Sequence, residues 1–207
     1  MIGHLVGIAA ASPWALALMA AVLIVDGFFP FVPGETLVVA VAAAAGAAGH
    51  NPLIALAVAI LAAFAGDLIA YHLGRRLGVE RWAAGRHPRI ASAFGYARRR
   101  LDANPGSILL TAKFIPFVRV AVTMTAGSGR MPLRRYVPLA LASVTLYTAF
   151  HVAIGALVGT ATVAVLGNPL IALLVSLGVG LAAGALVDVA TKAFHRRAGA
   201  QPSARIA

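Results

Sequence analysis

The chain has no cysteine and very little charge. Its 207 residues are 61% hydrophobic, and only 11% are Asp, Glu, Lys or Arg. Without cysteine, the chain cannot form disulfides, thiolate metal sites or cysteine nucleophiles. Soluble domains carry about a quarter charged residues, so the composition predicts an integral membrane protein, and the length predicts a single domain.

Acidic residues are scarcer still, six against 17 basic ones, which gives a net charge of +11. Such an excess can indicate nucleic-acid binding. Here the basic residues cluster at the ends of apolar runs, as the positive-inside rule describes for cytoplasmic loops. We therefore expect no nucleic-acid partner. No Lys or Arg precedes Arg75, so the first apolar run lacks the basic region of a secretory signal and is predicted to be retained.

Catalytic motifs are also missing from the sequence. There is no Walker loop, dinucleotide fingerprint or nucleophile motif, and Ser128 and Ser143 have no partner base in a recognisable pattern. His72 and His151 lack converging ligands and are predicted to be packed or interfacial. We expect no enzyme activity, no cofactor and no metal site.

The first two apolar runs, 14–29 and 36–48, are each shorter than the roughly 20 residues that a spanning helix needs. Two prolines and a glycine between them do not continue a helix. The pattern predicts a re-entrant hairpin over 14–48, with one long kinked span as the alternative. The residues that break this hairpin are Pro30, Pro33 and Gly34.

Flanking arginines predict the topology of the rest. Segment 104–129 is apolar, contains the helix breaker Pro116, and has arginine clusters at both ends. If both flanks are cytoplasmic, this segment enters and leaves on one side and forms a second hairpin. The predicted order is hairpin 14–48, span 52–74, cytoplasmic amphipathic segment 75–103, hairpin 104–129, and spans 136–161 and 168–192, all in one domain over 1–195, with a disordered cytoplasmic tail at 196–207.

The amphipathic segment and an internal repeat complete the predicted architecture. Within 75–103, apolar residues recur at helical spacing, which is typical of a helix on the membrane surface. The tripeptide Pro-Phe-Val occurs at 30–32 and 116–118, inside hairpins of opposite predicted orientation. We therefore predict an all-α membrane protein with two opposed hairpins related as an inverted repeat, about three full spans, and a ligand site near the midplane.

Among the ionisable residues within or beside the apolar runs, five are candidates for a functional site: the acids Asp26, Glu35 and Asp67 and the bases Lys113 and Arg119. Charges at membrane depth are costly and usually functional. The acids could bind a proton or cation, and the bases a phosphate, since Arg offers a planar fork and Lys a point charge. Alternatively, acids and bases form structural ion pairs. The two hypotheses are compatible if such a pair opens to admit a phosphate.

These residues fall in motifs that resemble the DedA family, also called SNARE-associated or VTT-domain proteins. The resemblance covers about residues 20–160. It rests on Asp26, Pro30 and Pro33-Gly34-Glu35, on Gly66-Asp67, Tyr71, Gly74-Arg75 and Gly78, and on Phe114-Ile115-Pro116-Phe117-Val118-Arg119, Ala126-Gly127, Met131-Pro132 and Arg135-Tyr136.

The resemblance implies two facing re-entrant hairpins and lipid translocation, because bacterial members include undecaprenyl-phosphate flippases and eukaryotic relatives scramble phospholipids. It implies functional roles for Glu35, Asp67 and Arg119, and proton-motive-force dependence as in some members. Lys113 stands where many bacterial members have arginine, which bears on headgroup specificity. The Ala/Gly region after Glu35 lacks an acid that some members carry, which weakens the case for a proton relay.

We therefore predict a flippase for a lipid phosphate, with undecaprenyl phosphate favoured, in the bacterial cytoplasmic membrane. Lys113 and Arg119 would bind the phosphate, and Glu35, Asp67 and Asp26 would couple protons or ions. The expected partners are anionic membrane lipids and protons, and a homo-oligomer is compatible with the sequence. The alternatives are a phospholipid scramblase and a non-transporting membrane-organising protein.

Overall fold

The computed structural model describes residues 12–29, 34–47, 51–78 and 88–166, together with 175 and 178. All regular structure in these residues is α-helical, which confirms the predicted all-α class. Pro30, Pro33, the tail 196–207 and almost all of the predicted span 168–192 lie outside the described residues. The helices are α1 (Pro13–Phe28), α2 (Gly34–Ala47), α3 (Leu53–Leu77), α4 (Pro88–Ala103), α5 (Pro105–Ala112), α6 (Pro116–Ser128) and α7 (Leu133–Leu166).

Four of the apolar helices are short. Helices α1 and α2 have 16 and 14 residues, and α5 and α6 have eight and 13. At about 1.5 Å per residue none exceeds about 24 Å, which is less than the roughly 30 Å of a bilayer's hydrocarbon core. The ends of α1 and α5 follow local rules: Ser12 and Asn104 cap their first turns, each ahead of a proline.

Among the described residues, two helical stretches are long and apolar enough to cross a membrane, namely α3 and the part of α7 from Leu133 to Thr162. Helix α3 begins beside Asn51, whose side chain accepts the Leu53 N–H at 2.9 Å. It ends at Gly78, which adopts the left-handed conformation with φ 58°. No atom would meet a Cβ there within 4 Å, so this glycine is the helix cap and not a packing contact.

Helix α4 is amphipathic, but its apolar side packs on protein. Ala97 is fully buried, and Phe94 and Leu101 pack against the same cluster, which includes Ile108 and Val122 of α5 and α6. The exposed side carries arginines 98–100. The sequence assigned this apolar face to the membrane surface; the structure places it against α5 and α6.

Glycines bring helix backbones into direct contact around α3. A Cβ on Gly66 would lie 2.7 Å from the Ile24 carbonyl oxygen of α1, and one on Gly27 would lie 2.6 Å from the Gly66 backbone. Nearer the C-terminus of α3, a Cβ on Gly74 would overlap the Met124 backbone of α6. Because these positions have no side chain, α1 and α6 can both lie close against α3.

Two apolar clusters fill the bundle, and α3 contributes to both. Ala55, Ala59 and Ala62 belong to a cluster with α1, α2 and α7, whereas Tyr71 belongs to one with α4, α5, α6 and α7. Asp67 lies between these two stretches of α3, just past the middle of the helix. The bundle therefore places a charged residue between its two apolar clusters.

Candidate functional site

The five predicted intramembrane charges come together as two buried ion pairs and one looser neighbour. Lys113 Nζ donates to Asp67 Oδ2 at 2.5 Å, and Arg119 Nη2 donates to Asp26 Oδ1. All four residues are at most 5% exposed. We call this set, with Glu35, the charge layer. The pairs join residues 46 and 93 positions apart in the chain, so they tie the first half of the chain to the second.

The Asp26–Arg119 pair joins two helix ends that each need an opposite charge. Asp26 lies near the C-terminus of α1, the negative end of the helix dipole, and Arg119 lies in the first turn of α6, the positive end. Each charge is unfavourable on its own helix. Arg119 compensates both, because Nη2 donates one hydrogen bond to the Asp26 carboxylate and a second one to the Asp26 carbonyl oxygen at 2.9 Å. The guanidinium thus binds the carboxylate and the end of α1 together.

Lys113 and Glu35 instead lie where their own helix dipoles favour them. Lys113 follows the last turn of α5, whose C-terminus attracts a cation, and Glu35 is in the first turn of α2, whose N-terminus attracts an anion. Pro116 is the first residue of α6. The break at residues 113–115 therefore turns Lys113 toward Asp67 while Arg119, on the next helix, reaches Asp26.

Gly34, predicted as a helix breaker, is the first residue of α2 and makes room for Asp26. A Cβ on Gly34 would lie 2.8 Å from Asp26 Oδ2 and 3.1 Å from Asp26 Cγ. Because the position has no side chain, the N-terminus of α2 can approach the Asp26 carboxylate closely. This contact brings the neighbouring residue, Glu35, to the same guanidinium.

Glu35 is the least restrained acid of the charge layer. Its Oε1 lies 3.9 Å from Arg119 Nη1, and its side chain is 25% exposed, against 4% for Asp26 and 7% for Asp67. Three carboxylates thus surround two cations. Glu35 could bind a proton or move away from Arg119 without leaving that cation unpaired, because Arg119 would still be bound to Asp26.

Tyr147 lies beside the charge layer and was not predicted from the sequence as a site residue. Its ring is buried on α7 and interacts electrostatically with Glu35 and Arg119. Within the described residues, Arg119 Nε is buried without a hydrogen-bond partner, whereas the Tyr147 hydroxyl lies beside Glu35. Unsatisfied buried donors are uncommon, so this side of Arg119 has capacity for an additional acceptor. The sequence signal was a hydroxyl within an apolar span, one helical turn before His151.

Two further tyrosines support the Asp67 side of the layer. Tyr136 Oη donates to the Asp67 carbonyl oxygen at 3.4 Å, and its ring stacks on Tyr71 with centroids 4.5 Å apart. His72 and His151, by contrast, each bond a carbonyl oxygen of their own helix, at 2.7 and 2.8 Å. Tyr136 and Tyr71 thus support the backbone that carries Asp67, whereas the two histidines make contacts only within their own helices in these hydrogen bonds.

The structure brings the predicted bases close together but gives each its own acid. The sequence predicted that Lys113 and Arg119 bind a phosphate, with structural ion pairs as the alternative. The arrangement observed is ion pairing, with Asp67 and Asp26 as partners. The two best-formed cavities in the described part of the chain are lined by other residues. A phosphate that binds Lys113 and Arg119 together would therefore have to displace their carboxylate partners.

A helical bundle with membrane-length apolar helices and charges buried between them is the architecture of an integral membrane protein. Residues 32–157 match the family model of the VTT domain. The chain belongs to this family, the DedA or VTT-domain membrane proteins, which confirms the resemblance read from the motifs.

The curated relatives are both called Protein DedA. The one from Escherichia coli (strain K12) is 27% identical over 111 residues, which cover 52% of this chain and 50% of the relative. The one from Escherichia coli O157:H7 gives the same figures. The chain thus spans about half the length of the curated relatives it matches. No solved structure matches the chain.

Proposed function

We propose that this protein carries a lipid phosphate across the bacterial cytoplasmic membrane, with undecaprenyl phosphate as the favoured substrate. The charge layer is the observation that carries the proposal. Lys113 and Arg119 are the cations available to a phosphate, and both lie beside the breaks between short helices. In the state described, Asp67 and Asp26 occupy them. Substrate binding would replace one or both carboxylates by phosphate oxygens.

Exchange of partners makes this step energetically reasonable. Bringing a bare charge into a low-dielectric interior costs several kcal/mol, whereas a charge that exchanges one anionic partner for another is never left alone. Glu35, held only at 3.9 Å from Arg119, is the acid that can take up a proton as the phosphate arrives. Asp26 and Asp67 would be released toward water or protonated in the same step.

The helix lengths and packing support two opposed re-entrant hairpins. Helices α1, α2, α5 and α6 are too short to span, and each pair meets at a break near the charge layer. Helix α2 packs on α7 as α6 packs on α3, and α1 packs on α3 as α5 packs on α7. Exchanging α1–α3 with α5–α7 preserves this pattern, as expected for an inverted repeat. In this arrangement α4 and the tail lie on the cytoplasmic side.

A second candidate is a non-transporting membrane-organising protein. The specific observation that favours it is the pairing itself, because Lys113 and Arg119 are both satisfied by buried carboxylates. In that case the pairs would only fasten the two halves of the bundle. A phospholipid scramblase would use the same layer with a less selective site.

Reconstitution in liposomes tests these candidates. Labelled undecaprenyl phosphate and labelled phosphatidylcholine are offered in separate vesicles, and their appearance on the opposite face is followed. The key variant is the double change Asp26→Asn with Arg119→Gln, which removes both charges of one pair and leaves no buried ion alone. We expect flipping of the lipid phosphate by the wild type and loss of it in the double variant.

Arg99→Gln is the matched control, because Arg99 is exposed on α4 and its loss also removes one positive charge. It should flip lipid as the wild type does. Equal movement of both lipids would favour the scramblase. If the wild type moves neither lipid, or if the folded double variant moves them as fast as the wild type, the carrier proposal is wrong.

A further inference from the structure

A cavity away from the charge layer collects arginines at one end of the bundle. It has a volume of about 270 Å³ and is bounded by the C-terminal half of α4, the start of α5, the end of α6 and the start of α7. Arg98, Arg130 and Arg135 line it, with Asp102 as the acid among its lining residues. Three cations against one carboxylate give the cavity a net charge of about +2 at neutral pH.

One of these arginines occupies a backbone position that normally takes glycine. Helix α6 ends in a Schellman motif, in which the Met131 N–H bonds the Ala126 carbonyl at 3.0 Å and the Arg130 N–H bonds that of Gly127 at 3.0 Å. Arg130 is the left-handed residue of this motif, with φ 52°. Glycine is favoured there because it has no Cβ, so the fold alone gives no reason for an arginine.

Arg98 reaches the same point from α4. Its Nε donates to Asp102 at 3.1 Å, and a Cβ on Gly129 would lie 2.8 Å from its Nη1. The guanidinium therefore lies against the end of α6, next to Arg130. Pro105 and Arg135 also line the cavity, and they lie in the first turns of α5 and α7. The positive N-terminal ends of these two helices therefore meet at the cavity.

We propose that this cavity binds a phosphate group, as a phosphomonoester or diphosphate. Guanidinium groups bind phosphate oxygens in pairs, and three of them around one cavity can surround the group. The volume lies just below the range of ligand sites for whole small molecules, so it suits a headgroup and not an acyl chain. The phosphate can come from a lipid of the adjacent leaflet or from a soluble phosphate compound. Binding here does not require transport through the charge layer.

Three variants test the site on the purified full-length chain. Arg130→Gly removes a cation and places the favoured residue at φ 52°, so any loss of binding comes without loss of fold. Gly129→Ala keeps every charge but displaces the Arg98 guanidinium. Arg135→Gln removes the third cation. Arg134→Gln is the matched control, because Arg134 neighbours Arg135 on α7 and does not line this cavity.

Binding is measured in two arms. In the first, inorganic phosphate and pyrophosphate are titrated against protein in neutral detergent. In the second, phosphatidic acid and phosphatidylglycerol are titrated by native mass spectrometry. We expect the wild type to prefer phosphatidic acid, a monoester, over phosphatidylglycerol. Each of the three variants should weaken binding about tenfold, as for the loss of one charge-assisted hydrogen bond, and Arg134→Gln should change it less than twofold.

The two arms distinguish the source of the phosphate. Saturable binding of pyrophosphate alone would assign the site to a soluble compound, and preferential binding of phosphatidic acid would assign it to a lipid; either result supports a phosphate site. Equal weakening by Arg134→Gln and Arg135→Gln, or unchanged binding in Gly129→Ala, would mean that the arginines attract anions only through their summed charge. That result would overturn the proposal.

Discussion

At the scale of single residues, the charge layer owes its stability to pairing. Lys113 and Asp67 are both almost fully buried, and neither has another ion partner within reach in the described part of the chain. A buried ion without its partner is strongly destabilising, whereas removal of both ions together is often neutral. The pair therefore makes two variants behave very differently.

We predict that Lys113→Met alone lowers the free energy of unfolding by about 3–5 kcal/mol, because Asp67 remains buried and unpaired. The double variant Lys113→Met with Asp67→Leu should recover most of that loss. Unfolding in mixed micelles measures both. A single variant as stable as the wild type would mean that water or lipid reaches Asp67 in the folded protein.

A second prediction concerns Gly34. Its replacement by alanine would place a Cβ 2.8 Å from Asp26 Oδ2, forcing the carboxylate or α2 to shift at a cost of about 1–3 kcal/mol. The rate of lipid flipping should fall as well, because a shift of α2 would also move Glu35 away from Arg119. The control is Gly95→Ala on α4, where the nearest atom, Arg99 Nη1, lies 3.5 Å from the new Cβ. Gly95→Ala should leave stability unchanged or raise it. The melting temperature in detergent measures both variants.

At the scale of elements, the proposal of two opposed hairpins makes a topological prediction. Because the chain lacks cysteine, single cysteines can be placed at Arg99 and Arg134, which flank helices α5 and α6. Both should react with a membrane-impermeant thiol reagent from the cytoplasmic side only. Reaction of the two positions from opposite sides would mean that α5 and α6 together cross the membrane once.

Helix positions could be predicted from the sequence, but their partners could not. Prolines at 13, 105 and 116 begin helices because they fix φ and have no N–H to leave unbonded. Periodicity predicted an apolar face on α4. It could not distinguish a lipid from a protein surface, since both are apolar.

In the candidate site, too, the residues could be predicted from the sequence but their partners could not. Its five charges were identifiable because ionisable residues are rare in apolar runs. Which acid pairs with which base was not, since Asp26 and Arg119 are 93 residues apart and meet only through the tertiary packing. Tyr147 was missed because a tyrosine in an apolar helix is ordinary; its role appears only when Arg119 lies beside it.

At the scale of the whole molecule, the proposed coupling of lipid transport to protons should depend on Glu35. We predict that Glu35→Gln leaves folding stability within about 1 kcal/mol, because its contact with Arg119 is long and partly exposed. Lipid flipping should then lose its response to an imposed pH gradient. Flux assays in liposomes, with and without the gradient, measure this. A response as large as that of the wild type would remove Glu35 from the coupling.

The unequal numbers of acids and bases in the charge layer also have an electrical consequence. With three carboxylates and two cations, all ionised, the layer carries one negative charge, and one bound proton makes it neutral. Moving a unit charge across a membrane potential of 100 mV changes its energy by about 2.3 kcal/mol. Voltage would thus act on movements of the unprotonated layer and leave the protonated one nearly unaffected.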